Sequence, residues 1–271
     1  MKEILRKIIP GFIWQRLKFF RHLLPSTKSA NTGRHQIVHN PDLVYLKKKY
    51  NDAWKNETLP RSQAKLTQKQ LIANYQDVAP MNALVDIMKK IPLNNPSLLE
   101  IGCSSGYYSE VFEKAGMKLT YSGCDYSKPF IDAARARYPK LDFKVSDATS
   151  LDYTEKEFDI VISGCCILHI VDYKKAIQEA ARVSRGFVIF HRTPVVARRA
   201  TTYAIKKGYG VEMLEIFFNE DELFEEFRKN NLSVEATNTH ATFEVDLLGE
   251  PVLMKSYLCV IRKHETKSTA Q

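Results

Sequence analysis

An apolar run that ends in an acid and a loop of small residues constrains the fold of this chain more than any other feature. Residues 98–108 read LLEIGCSSGYY, with small residues at the alternate positions Gly102, Ser104 and Gly106. A continuously apolar run suits a strand that is buried on both faces of a parallel sheet, and glycines allow a sharp turn and a close approach of backbone to ligand. From Tyr108 onwards, apolar residues recur at helical spacing. The stretch therefore predicts a strand, a tight loop and a helix, the unit that binds a nucleotide-like cofactor at the end of an α/β sheet.

The spacing within this loop distinguishes between three classes of cofactor site. A phosphate-gripping P-loop needs Gly-Lys-Ser/Thr at the helix start, a dinucleotide fingerprint needs G-x-G-x-x-G, and neither occurs here. The E-x-G-x-S-x-G spacing instead resembles motif I of the class I S-adenosylmethionine (SAM)-dependent methyltransferases, with Ser104 in place of the family's middle glycine. An ordinary strand-to-helix turn is the alternative at this point. The resemblance implies that SAM is the cofactor and that it is bound by Glu100, Gly102, Cys103, Ser104 and Gly106.

Two further acids stand where predicted strands end. Residues 119–124 form a predicted second strand that ends at Asp125, 25 residues after the first acid, and residues 141–145 form a third that is soon followed by Asp147. An acid at the end of the second strand can accept hydrogen bonds from ribose hydroxyls, as in dinucleotide binding. In the family that the chain resembles, an Asp at the end of the third strand meets the adenine amino group. Each acid alone could be an ordinary cap or turn residue, but the set of three at family spacing predicts a cofactor site. The other residues predicted to line it are Tyr126, Ala148, Ser163 and Gly164.

The remaining strands complete a Rossmann-like sheet. Residues 158–163 are the predicted fourth strand and 186–190 the fifth, while 232–237 and 256–261 fit the sixth and seventh. The resemblance implies an α/β fold with a seven-stranded, mostly parallel sheet in the order 3-2-1-4-5-7-6, in which strand 7 is antiparallel. An N-terminal helical extension precedes the sheet, and such helices commonly cover the cofactor and substrate site in this family.

Two histidines at the ends of neighbouring strands are the candidate catalytic residues. His169 lies just after the fourth strand and His191 at the end of the fifth, on the rim of the sheet where ligands bind. His169 is the preferred base or substrate ligand, with His191 and Arg192 orienting the acceptor. Tyr209 is a further candidate substrate residue, within a basic loop over 194–215 that is either a lid for an anionic group or a solvated segment. Two histidines without a placed carboxylate are weak evidence for a metal, so no metal site is predicted.

These features predict a SAM-dependent methyltransferase that acts on a small molecule or glycan precursor, on oxygen. A nucleic-acid methyltransferase acting on RNA is one alternative, but a nucleic-acid partner is not expected. The Asn/Asp-Pro-Pro-Tyr/Phe tetrapeptide that serves methylation of base amino groups is missing after the fourth strand, where Ser163-Gly164-Cys165-Cys166 stands instead. The other alternative is a non-catalytic SAM-binding protein that docks to a membrane or a partner.

The positive charge of the chain is concentrated near its N-terminus. Residues 1–65 carry a net charge of +10, whereas the rest of the chain carries −1. We therefore expect no basic nucleic-acid-binding face on the main domain. The predicted organisation is a basic amphipathic arm over residues 1–25, a linker and helical cap over 26–80, and a methyltransferase domain over 81–271.

The arm over residues 1–25 has two competing interpretations. Its longest uncharged run is too short to span a bilayer, and no small-residue cleavage site follows it. Mixed aromatic and basic residues suit a helix that lies on an anionic membrane surface, and they equally suit a helix packed on the body or on a partner subunit. Five cysteines without a C-x-x-C pair favour the reducing cytosol, so we expect a cytoplasmic protein, with peripheral contact at the inner face of the membrane as an option.

Overall fold

The computed structural model of the chain describes residues 35–262. The arm predicted over residues 1–25 lies outside the described residues, as do 26–34 and 263–271. No helix in the described part is long and apolar enough to cross a membrane.

The described helices lie between the strands of one sheet along the chain. They are α1 (Leu43–Tyr50), α2 (Leu59–Ile72), α3 (Ala79–Met88), α4 (Tyr108–Lys114), α5 (Lys128–Arg137), α6 (Tyr173–Val183) and α7 (Glu220–Lys229), with short 3-10 turns at Ala53–Lys55, Tyr75–Asp77 and Ile167–His169. The strands are β1 (Gln36–Ile37), β2 (Ser97–Ile101), β3 (Thr120–Asp125), β4 (Asp142–Val145), β5 (Phe158–Gly164), β6 (Ser184–Val196), β7 (Thr202–Gly208), β8 (Val211–Asn219), β9 (Leu232–Phe243) and β10 (Val252–Ile261).

Seven of the strands form the predicted Rossmann-like sheet. Their order is β4-β3-β2-β5-β6-β10-β9, which corresponds to 3-2-1-4-5-7-6 in the predicted numbering. The pairs from β4 to β6 are parallel, and β10 is antiparallel to both of its neighbours. The predicted fold class is therefore confirmed, and the carboxyl ends of β2, β3, β5 and β6 meet at one edge of the sheet.

Three further strands show that the predicted count of seven was too low. Strand β6 continues to Val196 instead of ending near residue 190, and β8 pairs in parallel with its last residues. β7 pairs antiparallel with β8, and β1 pairs antiparallel with β7. The prediction of a loop over 194–215 was therefore wrong. Tyr209 and Gly210 both have positive φ (52° and 85°), which suits the two-residue turn that matches the twist of an antiparallel hairpin.

Apolar side chains fill both faces of the central sheet. On one face, Phe190 of β6 stacks on Phe227 of α7 at a ring-centroid distance of 4.6 Å, beside the buried face of α6. On the other face, α3, α4 and α5 pack over β2, β3 and β5. Both faces of the parallel strands are thus buried by apolar side chains, as their apolar sequences predict. The hairpin has a small core of its own with β1 and the loop before β10.

Candidate functional site

The loop after β2 is a tight turn that glycine makes possible. Gly102, Ser104 and Gly106 have φ of +69°, +53° and +74°, the left-handed region in which glycine meets no steric penalty. A Cβ on Gly102 would lie 2.5 Å from Sγ of Cys166, which follows β5, so no larger residue fits there. Cys103 donates its backbone N–H to the Cys124 carbonyl at 2.9 Å. The loop therefore lies close against the ends of β3 and β5.

Asp125 ties this loop to the end of β3. Its Oδ2 accepts the backbone N–H of Ser104 at 3.0 Å, and its Oδ1 accepts that of Ser127 at 2.9 Å. Burial raises the pKa of the Asp125 carboxyl to about 6, although both hydrogen bonds lower it. Each oxygen accepts one hydrogen bond from the protein and retains capacity for a donor such as a ligand hydroxyl.

Glu100 occupies the end of β2 and is 2% exposed. The phenol of Tyr121 donates to its Oε2 at 2.5 Å. Burial, together with the charge of Asp125, raises the pKa of Glu100 to about 8 despite that hydrogen bond. Nearby, the buried hydroxyl oxygens of Ser105 and Ser163 have no hydrogen-bond partner among the described residues. Buried polar atoms are rarely left unpaired, so this edge of the sheet is built to meet a polar ligand.

Asp147 follows β4 on the rim of the same edge. Its Oδ1 accepts the backbone N–H and the hydroxyl of Thr149, both at 2.8 Å, which forms a local turn. Asp147 is exposed whereas Ala148 is buried. The structure thus places the predicted acids at the ends of three successive strands, and the role of Asp147 in binding adenine stays a prediction.

The N-terminal helical segment reaches this edge through contacts that were not predicted residue by residue. Trp54 donates its backbone N–H to the hydroxyl of Tyr126 at 3.3 Å, and its carbonyl accepts the Ser127 hydroxyl at 2.9 Å. The Ser104 hydroxyl donates to the side-chain carbonyl of Gln63 in α2. A single tryptophan or glutamine in a helical stretch carries no local signal of such a role. Only the general expectation that helices before the first strand cover the site pointed this way.

His169 is held at the rim by the hairpin. Its Nδ1 lies 2.6 Å from the carbonyl oxygen of Leu214 in β8. A carbonyl can only accept, so Nδ1 carries the proton in the neutral ring and Nε2 is left with its lone pair. The indole of Trp54 lies against the ring at a centroid distance of 4.8 Å. The hairpin and the helical segment together fix the position of the His169 ring.

His191 has a different environment, because it lies inside β6 and is 1% exposed. Its Nδ1 lies 2.7 Å from the Ser256 hydroxyl, and its Nε2 has no partner among the described residues. Burial, together with His240 and Arg192, lowers the pKa of His191 well below its usual value. The ring is therefore neutral near pH 7. The two candidate histidines lie on adjacent strands, as expected, but they are not equivalent.

Arg192 and Tyr209, the predicted substrate residues, both lie near Cys165. The Cys165 backbone N–H donates to the His191 carbonyl at 2.8 Å, which joins the ends of β5 and β6. Although burial raises the pKa of the Cys165 thiol, the Arg192 guanidinium and His169 bring it below the usual value. The positive charge of Arg192 also lowers the pKa of the Tyr209 phenol at the hairpin tip, although burial outweighs it and leaves that pKa above its usual value. The structure thus brings Arg192, Tyr209 and His169 to one rim.

The described residues contain no group of three or more His, Cys, Asp and Glu side chains that could hold a metal ion.

Comparison with known proteins shows that the sequence around this edge of the sheet is similar to methyltransferases. Residues 99–190 match the sequence model of a family described as "Methyltransferase domain". The chain is 28% identical over 156 residues to the ubiquinone biosynthesis O-methyltransferase of Pelagibacter ubique, covering 53% of this chain and 64% of that protein. It is 28% identical over 88 residues to the demethylmenaquinone methyltransferase of Paenarthrobacter aurescens, covering 32% and 34% respectively. The chain thus spans less than two thirds of the length of these curated relatives.

Solved structures share the fold at low sequence identity. A SAM-dependent methyltransferase from Methanosarcina mazei superposes with a TM-score of 0.51 at 18% identity, covering 64% of this chain and 96% of that one. Magnesium protoporphyrin IX methyltransferase from Synechocystis PCC 6803, solved with bound SAM, superposes with a TM-score of 0.51 at 15% identity and covers 83% and 99%. Both likenesses concern the fold alone.

Proposed function

This chain carries a methyltransferase domain of the class I, SAM-dependent family, and on that premise we propose that it methylates a hydroxyl oxygen of a small-molecule acceptor, with His169 as the general base. The observation that carries the proposal is the hydrogen bond from His169 to the Leu214 carbonyl, since it leaves Nε2 as the basic atom.

The residues at the carboxyl edge of the sheet fit SAM as the cofactor. Asp125 has two buried carboxylate oxygens with room for further donors, such as ribose hydroxyls. Ser105 and Ser163 offer buried hydroxyls without a protein partner to the polar amino-acid end. The glycines at either end of the left-handed loop, Gly102 and Gly106, allow its backbone to approach a ligand closely. Glu100 would lie beneath the amino-acid end of SAM. Because its pKa is about 8, a bound cationic group would favour its ionised form.

The bound cofactor supplies a methyl group on a cationic sulfonium, and the protein's part is to align and deprotonate the acceptor. Much of the rate in such a displacement comes from holding the nucleophile in line with the departing sulfur. A hydroxyl must also lose its proton, which a positioned base accepts. Nε2 of His169 is that base in our proposal, while Nδ1–H stays bonded to Leu214 and fixes the ring. Trp54 packs on the ring and shields it from water.

The acceptor class is supported by the relatives at a coarse level. One is named for ubiquinone biosynthesis and one for demethylmenaquinone, both small molecules. The name of the first specifies transfer to oxygen. We propose a hydroxylated small molecule of this size class and retain a glycan precursor as the second kind of acceptor to be tested.

A transfer assay with matched variants tests the proposal. Protein and SAM labelled in the methyl group are incubated with catechols, hydroxybenzoates, naphthohydroquinones and nucleotide sugars, and labelled products are separated. We expect His169→Asn to lower kcat by about 100- to 10,000-fold, the range of general-base catalysis. Its SAM affinity should stay unchanged by calorimetry. The control is His39→Asn at an exposed histidine, which should leave both unchanged.

Two results would contradict the proposal. Failure of the folded wild type to bind SAM would remove the cofactor assignment and with it the activity. Full turnover by His169→Asn would leave a methyltransferase that does not use this base.

The basic arm over residues 1–25, outside the described residues, is proposed to contact an anionic membrane surface. The full chain should cosediment with vesicles containing phosphatidylglycerol and not with phosphatidylcholine alone, and Trp14→Ala/Phe19→Ala should weaken this. Binding to RNA that falls steeply with salt, without vesicle binding, would instead indicate a nucleic-acid partner.

A further inference from the structure

Two β-bulges in adjacent strands gather three nitrogen-bearing side chains beside the proposed acceptor site. Between β6 and β10, Phe190 pairs with Tyr257 and Thr193 pairs with Lys255, so that His191 and Arg192 together oppose one residue. Between β9 and β10, Thr239 and Ala241 pair with consecutive residues, which leaves His240 as an extra residue. Bulges of this kind re-aim side chains and are common next to binding sites.

The bulges bring these side chains close together. The rings of His191 and His240 lie 5.4 Å apart between centroids. The charge of Arg192 acts on both rings and lowers the pKa of each, after the larger effect of burial. Arg192 itself has φ of +56°, a left-handed conformation that is uncommon for a residue with a side chain. Such strain persists where the surrounding structure imposes it, and it clusters at functional sites.

The hydrogen-bonding capacity of the two histidine rings is largely unused within residues 35–262. Nε2 of His191 and both ring nitrogens of His240 are buried without a partner. Neutral histidines each present one N–H donor, so these rings can donate to an anion without carrying charge. A buried donor that lacks a partner is costly, and a ligand that accepts from it recovers that cost.

The positive charge of the cluster, on Arg192, also has no carboxylate partner among the described residues. No Asp or Glu of the described residues pairs with Arg192, in contrast to Arg182 and Arg185, which pair with Glu179 and Asp159. The groups that surround Arg192 are instead neutral or weakly acidic: Cys165, Tyr107, Tyr108, Tyr209, His191 and His240. Arg192 as a residue is half-buried, and its guanidinium in such a setting suits an incoming carboxylate or phosphate, which it can bind through two parallel hydrogen bonds.

We propose that Arg192, His191 and His240 form a subsite that binds an anionic group of the methyl acceptor, either a carboxylate or a phosphate ester. This inference rests on the proposed function, because it assigns the acceptor's second anchor point. The backbone bond from Cys165 to His191 joins the subsite to the segment that carries His169. Anchoring the anion at Arg192 would leave the hydroxyl end of the acceptor to reach His169 along the same rim, with Tyr209 over it.

Calorimetry with simple anions tests the subsite without requiring the natural acceptor. The full chain, saturated with S-adenosylhomocysteine, is titrated with benzoate in one arm and with phenyl phosphate in the other. We expect saturable binding of one of them, which identifies the anion class. Arg192→Gln should weaken that binding roughly 10- to 100-fold, the value of hydrogen bonds to a charged group. Arg192→Lys keeps the positive charge but loses the planar guanidinium. Its affinity for the anion should lie between those of wild type and Arg192→Gln.

His240→Gln and an exposed arginine provide the second variant and the control. His240→Gln should weaken the same binding several-fold, and Arg228→Gln, on the solvent side of α7, should not change it. The thermal unfolding midpoint and the SAM affinity of every variant are measured alongside. A variant that binds SAM normally but not the anion supports the subsite, because its folding and cofactor site are intact.

Proton NMR of the histidine rings gives a readout that does not depend on affinity. In the free protein the pKa of His240 is about 4, mainly because of burial. An anion bound beside Arg192 should raise the pKa of His240 measurably. The resonance that disappears in His240→Gln is assigned to the His240 ring. Wild type that binds SAM but neither anion, or binds one with equal affinity in Arg192→Gln, overturns the subsite while the proposed function stands. Wild type that binds no SAM overturns the proposed function separately.

Discussion

Two regions of this protein bury carboxyl groups to a similar depth but shift their pKa values in opposite directions. At the cofactor edge, Glu100 is 2% exposed, receives one hydrogen bond from Tyr121, and has its pKa raised to about 8 mainly by burial. In the hairpin, Glu215 is 5% exposed but lies 2.5 Å from Nε2 of His35 and 3.3 Å from Nζ of Lys206. Those partners outweigh burial and lower the pKa of Glu215 to about 2.

The difference lies in the partners and not in the depth of burial. Glu250 follows the hairpin pattern, since it accepts backbone N–H groups from Ala197, Arg198 and Arg199 at 2.9–3.0 Å. Burial always disfavours the charged carboxylate. The cations beside Glu215 and the three N–H donors to Glu250 reverse that preference, whereas the two N–H donors to Asp125 only reduce it. A carboxyl that the protein buries without compensation costs stability, so it is a candidate for interaction with a ligand. The carboxylates of Glu215 and Glu250 stabilise the fold, and we expect the ionisation of Glu100 and Asp125 to respond to a bound ligand.

The largest effect should come from breaking the hairpin cluster. Glu215→Gln removes the charge between His35 and Lys206, and breaking a buried ion pair costs about 3–5 kcal/mol. We expect the free energy of unfolding in urea to fall by that order, whereas Glu212→Gln on the exposed side of β8 should change it little. An unchanged midpoint in Glu215→Gln would show that the pairing contributes no net stability.

The same cluster predicts how acid destabilises the protein. The folded pKa of Glu215, about 2, lies below the ordinary value of 4.5. Its stabilising contribution is therefore complete above about pH 4.5 and is lost as pH falls toward 2. Between pH 5 and 3, wild type should lose stability and Glu215→Gln should lose less, as followed by circular dichroism during urea titration at each pH.

The next effect concerns SAM binding through Asp125. Its pKa of about 6 means that the carboxylate takes up a proton as pH falls below 6, and the protonated form is a weaker acceptor for ribose hydroxyls. We expect SAM affinity to decrease between pH 7 and pH 5. Asp125→Asn should weaken binding by at least about 10-fold at pH 7, a loss of one charge-assisted hydrogen bond. It should also flatten the pH dependence. Calorimetry in matched buffers measures both, with Asp152→Asn at an exposed acid as the control.

The smallest effect has the opposite sign to the first. Because the folded pKa of Glu100, about 8, lies above the ordinary 4.5, folding at pH 7 is penalised by the proton that the folded state retains. The amide of Glu100→Gln can still accept from Tyr121, so we expect the ligand-free protein to gain about 1–2 kcal/mol at pH 7. SAM affinity should decrease in the same variant. A destabilised Glu100→Gln would remove the contrast between the two regions.

The sequence marks the carboxyl ends of β2 and β3 with local signals that the surroundings of His240 lack, for a physical reason. Glu100 and Asp125 stand at the ends of apolar runs, and the alternating small residues of the loop are local signals of a turn. His240 carried no such signal, because it lies in a half-exposed strand far from the other site residues along the chain. Its relevance arises only from a bulge, which depends on how β9 pairs with β10. The hairpin was missed because its basic residues resembled a solvated loop.

What the sequence determined by itself was the succession of the seven Rossmann-like strands along the chain and the acids that end three of them, since apolar periodicity and turn residues act over a few positions. Only the tertiary structure decided which of the two histidines we propose as the base. That choice depends on the Leu214 carbonyl for His169 and on complete burial for His191, two contacts made by residues far apart in the chain. Hydrogen-bond partners and desolvation set the tautomer and charge of a ring, and both come from neighbours that folding brings together.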